Sequence, residues 1–278
     1  MSRSSIGSIA LVVMLGVAIG GAQAHDESKY PDWSGQWVRV GPGHFDPTKP
    51  PGRGQQPPLT PEYQAVFEAS LADQAHGGQG NDPTIKCIPG GMPRAMIVTQ
   101  PLEIVILPKT TYVMLELHSM LRRIYTDGRA WPAEVEPQFM GYAIGQWLDE
   151  DGDGKYDTLA VETRHIKGPH SYDNSGLPFH RDGKLVVKER ISLDKANPDL
   201  LHNEITVIDN ALTRPWTVKR SAKRELKQVS WSEYICNEDN HHVMIGKENY
   251  MVNQDGYLMP VKKDQPPPDL RFFNQPRN

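Results

Sequence analysis

The sequence predicts a mainly β protein: an enlarged antiparallel barrel, or a two-sheet variant of one, with a single N-terminal helix. Three observations carry this. From residue 102 onward about ten short stretches alternate with period two, turns rich in Gly, Pro, Asp and Asn separate them, and only one segment has helical spacing. Strands that follow one another without intervening helices pair antiparallel more readily than they build βαβ units.

The chain has 278 residues and opens on Met1-Ser2-Arg3, an apolar stretch from Ile9 to Ile19, and small residues at Ala22 and Ala24. This reads as a cleavable secretory signal over residues 1–24, cut after Ala24, because the apolar run is too short to span a bilayer. No twin-Arg pair precedes it and no Cys follows the cut, so a soluble periplasmic or secreted protein of about 254 residues is expected. Removing Arg3 brings the net charge to about −5, which argues against nucleic acid and anionic membranes as partners. Cys87 and Cys236 then face an oxidising compartment and are expected to pair as a structural disulfide; neither has a CxxC or Cys-His neighbour.

Residues 25–58 hold a first strand, Trp33–Val40, and a loop rich in Gly and Pro that cannot sustain a ladder. The helix follows. Thr60 caps it, Pro61 suits its first turn, Tyr63, Phe67 and Leu71 recur at helical spacing, and Gly77-Gly78 stops it after about Ala75. In the barrel-like unit, residues 59–261, Leu102–Leu107 and Thr111–His118 form a hairpin across Pro108-Lys109-Thr110. Leu121–Thr126 leads into Asp127-Gly128, a type I′ turn signal. Gly141–Leu148 and Thr158–His165 flank an acidic turn. Leu185–Leu193, Glu204–Ile208, Trp216–Arg220, Trp231–Cys236 and Val243–Lys247 complete the strand set, and a Pro-rich tail occupies residues 262–278.

Asp32-Trp-Ser-Gly-Gln-Trp37, Pro58-Leu-Thr-Pro-Glu-Tyr63, Gly91-Met-Pro-Arg94, Arg122-Arg-Ile-Tyr-Thr-Asp-Gly-Arg129, Gly145-Gln-Trp147 and Arg214-Pro-Trp216 together resemble a large family of exported bacterial proteins. That resemblance spans nearly the whole mature chain; it implies export and brings no assigned chemistry. Gly35-Gln-Trp37 and Gly145-Gln-Trp147 also look like the G-x-W signature that opens the lipocalin barrel, where a Trp seals one end under a cationic side chain. The motif occurs twice and the chain exceeds a simple eight-stranded barrel, which implies an enlarged one.

Several side chains are candidates for chemistry. On the strand Thr111–His118, alternation places Tyr112, Met114, Glu116 and His118 on one face, with Glu116 and His118 as an acid/base pair. Arg123, Tyr125 and Asp127 share a face with Arg122 opposite, and Val187, Glu189 and Ile191 align likewise. Charged groups in apolar strands should pair, and a structural ion-pair network is the commoner explanation of them. In a catalytic reading Glu116 or His180 is the base, Arg123 or Arg190 holds an oxyanion or carboxylate, and Tyr125 donates a proton.

Two metal readings arise. Cleavage after Ala24 makes His25 the N-terminal residue, whose amine and imidazole resemble half of a copper-binding brace. Asp149, Asp151, Asp153 and Asp157 fall at calcium-loop spacing, but Ala160 stands at the twelfth position where a bidentate Glu is required, so an acidic turn is the simpler reading. No G-x-S-x-G elbow, S-x-x-K, H-E-x-x-H or nucleotide-binding glycine loop is present, and no organic cofactor is expected.

Three functions follow. The first is a periplasmic lipocalin-like protein that binds a small hydrophobic molecule, aromatic or terpenoid-like, in a cavity lined by Trp37, Tyr112, Met114 and Trp147. The second is a cofactor-independent lyase, isomerase or hydratase acting on such a molecule through the Arg/Glu/His cluster. The third is a copper- or calcium-binding protein.

Overall fold

A computed structural model describes residues 26–40, 57–227, 231–233, 235–236, 241–245 and 248–269. The expected signal segment, His25, most of the Gly/Pro-rich loop and the end of the tail lie outside the described residues. Among those described, nine strands close a barrel: β1 Gln36–Val40, β2 Leu102–Leu107, β3 Thr110–Leu115, β4 Met120–Tyr125, β5 Tyr142–Leu148, β6 Thr158–Arg164, β7 Val186–Leu193, β8 Leu200–Ile208 and β9 Trp216–Glu225. Three more, β10 His242–Ile245, β11 Glu248–Val252 and β12 Leu258–Pro260, form a small separate sheet. The one α-helix, α1, spans Pro61–Ala75.

Each barrel strand obeys the pleat: alternate side chains turn into the lumen and are buried. On β8, Leu201, Asn203, Ile205 and Val207 point in, and on β9 Trp216, Val218 and Arg220 do. β1 closes the barrel by pairing with both β9 and β2, so the strand that the sequence reading set apart from residues 59–261 belongs to that unit. Closure removes every free edge from the main sheet, which is how such a sheet avoids pairing with other chains.

Neighbouring pairs are antiparallel except β4–β5, where Ile124 lies beside Ala143 and Tyr125 beside Ile144 in parallel register. Asp127-Gly128 therefore does not form the expected hairpin. Arg129 folds back on Asp127 at 2.6 Å, its guanidinium stacks on Tyr125 at 3.7 Å, and the chain leaves the sheet until residue 141. A crossover is required because parallel neighbours cannot be joined by a tight turn. Two further expectations are corrected. Trp231–Cys236 contains no strand among its described residues, and β3 stops at Leu115 because Glu116 takes helical dihedrals and His118 the left-handed region at φ +57°. β11 and β12 have no counterpart in the sequence reading.

Thr60 caps α1 by accepting the Tyr63 N–H, Phe67 is buried beneath the helix, and Ser70 donates to the Ser175 carbonyl at 3.1 Å. With residues 82–100 and 165–185, α1 covers the barrel end where β1 and β8 finish. Gly91 in that cover is required: a Cβ there would lie 2.5 Å from the Phe139 carbonyl oxygen, and the adjacent Met92 N–H donates to that same oxygen. Cys87 and Cys236 are disulfide-bonded across 149 positions, tying this cover to the C-terminal segment.

Halfway along the lumen, Arg122 and Glu189 form a bidentate ion pair with both side chains fully out of solvent. Asn203 donates to Glu189 at 2.8 Å and Arg122 to Thr163 at 3.0 Å. A buried pair offsets its large desolvation penalty only with such additional partners.

Two outcomes are expected. Glu189→Gln strands a buried guanidinium and should lower stability in urea denaturation by about 3–5 kcal/mol, whereas Arg122→Met combined with Glu189→Leu should recover most of it. Replacing both cysteines with Ser should lower stability by up to about 5 kcal/mol on chain entropy alone. Unchanged urea midpoints in either series would contradict these assignments.

Candidate functional site

At the barrel end where β1 begins, the two G-x-W segments meet. Trp37 is fully buried and donates its indole N–H to the Trp33 carbonyl at 3.0 Å; Trp33 packs on Trp147 at 4.9 Å, and Tyr30 and Tyr156 extend the cluster. Arg224 lies over the Trp37 ring at 4.5 Å, donates to the Ser34 and Asp32 carbonyls, and pairs with Asp199 at 3.0 Å. These contacts seal the lumen at this end. Trp37, under Arg224, and Trp147, packed on Trp33 and Tyr30, are thus plugs. Tyr112 and Met114, named with them as ligand contacts, point the other way, to the outside of β3, where Arg123 lies over Tyr112 at 5.5 Å. Period two allowed both faces of this strand, and the apolar partners of Val113 and Leu115 decided which one turned inward.

At the opposite end lies a hollow of about 420 Å³ whose wall includes Arg94, Glu116, Leu117, His118 and Ile85, with Cys236 of the disulfide at its rim. Two of the sequence-predicted groups, Glu116 and His118, are brought together here, on a 3-10 turn rather than on a strand. Arg94, which belongs to no catalytic motif of the sequence, joins them. Its position in Gly91-Met-Pro-Arg94 was the available signal. The side chain is held in place by Asp82, which accepts from both guanidinium Nη atoms at 2.6 and 3.2 Å, and by Ser171 at 3.2 Å.

Burial first, and the Arg94 charge second, hold the His118 imidazole below its usual range, so it stays neutral. Its left-handed backbone and that of Ser119, at φ +49°, are costly for residues bearing a Cβ. An adjoining hollow of about 270 Å³ shares Arg94 and Leu117 and adds Arg39, whose Nη1 donates to the Ile97 carbonyl at 2.8 Å. Two guanidinium groups therefore flank this end of the barrel.

The other candidate residues are elsewhere. His180 packs on Tyr63 at 5.4 Å, with its ring beside Asp182 at 3.1 Å, and its backbone N–H donates to Asp209 at 2.9 Å. Arg123 and Tyr125 line a hollow of about 500 Å³ on the outer face of β4. Arg190 also points outward and pairs with Glu150. None of these four lines the hollow that holds Glu116 and His118.

Asp149, Asp151 and Asp153 each place an oxygen within 4.8 Å of the others, all exposed. Asp149 already accepts the N–H groups of Gly152, Asp153 and Gly154, at 2.7 to 3.2 Å, and Asp157 accepts that of Glu150. Glu162, the side chain nearest in sequence to the missing twelfth ligand, is engaged by Arg164 and Lys188 on the barrel wall. The loop is a turn that satisfies its own backbone. The copper reading rests on His25, outside the described residues. No helix among the described residues is long and apolar enough to cross a membrane. No protein-family model and no curated protein matches the chain.

His170, in the cover at this same end, stacks on Phe179 at 5.0 Å, and burial pushes its imidazole down to about 4. Unfolded chains take up this proton near pH 6.5, whereas the folded one stays neutral to about pH 4. Stability should therefore be unaffected by His170 above pH 6.5 and fall below it, by up to about 1.4 kcal/mol per pH unit, until about pH 4. Urea midpoints at pH 7, 5.5 and 4.5 should show this slope, and His170→Phe should flatten it.

Proposed function

We propose that this is an exported, lipocalin-like barrel that takes a small, partly apolar molecule bearing a carboxylate or carbonyl. The molecule is received at the end of the barrel where Arg94, Glu116 and His118 line one hollow. One observation carries the reading: a guanidinium, fixed by Asp82, stands opposite apolar Leu117 and Ile85 in a concave site of ligand size. Asp82 takes the Arg94 fork and fixes it, so the pull on a carboxylate or carbonyl comes from the charge of Arg94 together with that of Arg39 in the adjoining hollow. Export is supported by the signal-like leader, by the resemblance to exported proteins and by the disulfide, since such bonds persist in oxidising compartments.

A second reading, acid/base turnover of that molecule as in a lyase, isomerase or hydratase, is favoured by His118. An imidazole held neutral at pH 7 accepts a proton, and Glu116 on the same turn gives a second group for its transfer.

Native mass spectrometry of protein purified from its own periplasm, followed by titration with small aromatic carboxylates, tests both. Leu117→Trp fills the hollow and should abolish retention, while Arg190→Ala on the outer wall should leave it intact. For the turnover reading, Glu116→Gln should lose conversion and keep affinity. Equal retention by wild type and Leu117→Trp would sink the assignment of this hollow.

A further inference from the structure

At the other end of the barrel, three side chains that no local motif connects form a hydrogen-bonded relay. His202 on β8 and Ser221 on β9 are direct cross-strand partners on the outer face, and His202 Nδ1 lies 2.8 Å from Ser221 Oγ. His202 Nε2 lies 3.1 Å from Asp194 Oδ2, just past the end of β7. Asp194 is itself fixed, because its Oδ1 accepts the N–H groups of Ala196 and Asn197 at 2.9 and 3.0 Å. The His202 hydrogen bond, more than any other influence, holds the Asp194 carboxyl below its usual range.

These partners assign the tautomer. An ionised carboxylate only accepts, so His202 Nε2 carries the proton, and Nδ1 is left as the acceptor of the Ser221 hydroxyl proton. Nucleophile to base to orienting carboxylate is the arrangement that activates serine for acyl transfer, here with the ring nitrogens exchanged relative to the usual hydrolase order. A cross-strand pair that merely knits two strands needs no third member fixed by two backbone donors.

The relay opens on a hollow of about 620 Å³, whose wall contains both Asp194 and His202. Tyr30, Tyr156 and Leu193 make part of that wall apolar, Lys195 is paired with Asp151 at 3.4 Å, and Lys219 stands in a wall that also carries carboxylates such as Glu150 and Asp157. Lys219 precedes Ser221 by two positions, so both project from the same face of β9.

We infer that Ser221, His202 and Asp194 form an acyl-transfer site for small carboxylic esters with an apolar acyl group. Ser221 Oγ bonds to the ester carbonyl carbon as its proton passes to His202 Nδ1, with Asp194 balancing the imidazolium. The carbonyl oxygen takes up the displaced electron pair beside the Lys219 ammonium. Collapse re-forms the carbonyl, breaks the ester C–O bond and releases the alcohol, which leaves with the proton from His202. Water then adds to the acyl-serine by the same route, freeing the carboxylic acid and returning Ser221 to its hydroxyl form. This activity is independent of the ligand hollow near Arg94, at the opposite barrel end.

The test is covalent labelling with an alkyl fluorophosphonate, read by tryptic mass spectrometry, beside hydrolysis of 4-nitrophenyl acetate. A single adduct on Ser221 is expected. Its rate should fall by about 10²-fold or more in His202→Gln, and clearly in Asp194→Asn, whose carboxylate is partly exposed. Ser221→Ala should take no adduct and keep its urea midpoint. Absence of an adduct on Ser221 in the wild-type protein overturns the inference, and so does a labelling rate that Asp194→Asn leaves unchanged. Leu117→Trp, which blocks the other hollow, should not alter labelling.

Discussion

The Arg122–Glu189 pair fixes what the rest of this barrel is able to do. Two charged groups fully out of water are tolerated because Thr163 and Asn203 add hydrogen bonds to the pair, and those four side chains come from β4, β6, β7 and β8. A network spanning that many strands sets their register, since a slip of one residue would turn a charge outward and an apolar side chain away from the core. It also fills the middle of the lumen. Among the described residues, hollows of ligand size lie at the two rims and on the outer wall.

The two rims are built differently. One is closed by aromatic packing, with Trp33 joining Trp37 of the first G-x-W segment to Trp147 of the second, under the Arg224 guanidinium. The other is covered by α1 and two long segments whose fixed points are polar or covalent: Asp82–Arg94, Met92 to Phe139, and Cys87–Cys236. The aromatic plug closes the lumen at this rim, and the hollow beside Asp194 and His202 lies outside it. A cover held by discrete ties leaves concave gaps between them, and the hollow beside Arg94 and His118 is such a gap.

Much of this was legible in the sequence because it depends on neighbours along the chain. Thr60-Pro61 fixed the start of α1, Pro108-Lys109 the β2–β3 hairpin, and the paired cysteines the disulfide. The site residues were harder for a definite reason. Arg122 and Arg123 are adjacent, and period two says only that they face opposite ways; the inward one is decided by Glu189, 67 positions away. The sequence reading put Arg123 and Tyr125 in the catalytic set, and the barrel turned both outward. Glu116 and His118 were chosen as strand neighbours and do share a hollow, but on a turn that alternation did not foresee. Asp127-Gly128 carries a hairpin signal that Arg129 overrides by stacking on Tyr125.

Ser221, His202 and Asp194 illustrate the limit of motif reading most directly. Nucleophile signatures such as G-x-S-x-G describe one way of presenting a serine, on a strained strand-to-helix turn. A closed barrel offers another. Register alone sets residues of adjacent strands side by side, so a serine and a histidine 19 positions apart become partners at 2.8 Å without any local sequence pattern. The β7–β8 register that the buried network enforces from inside the lumen also brings Asp194 to His202 on the outside, while the pairing of Ile205 with Val218 sets Ser221 against the same imidazole. Pairing inside and chemistry outside are two faces of one strand alignment, and a shift that broke the first would separate the second.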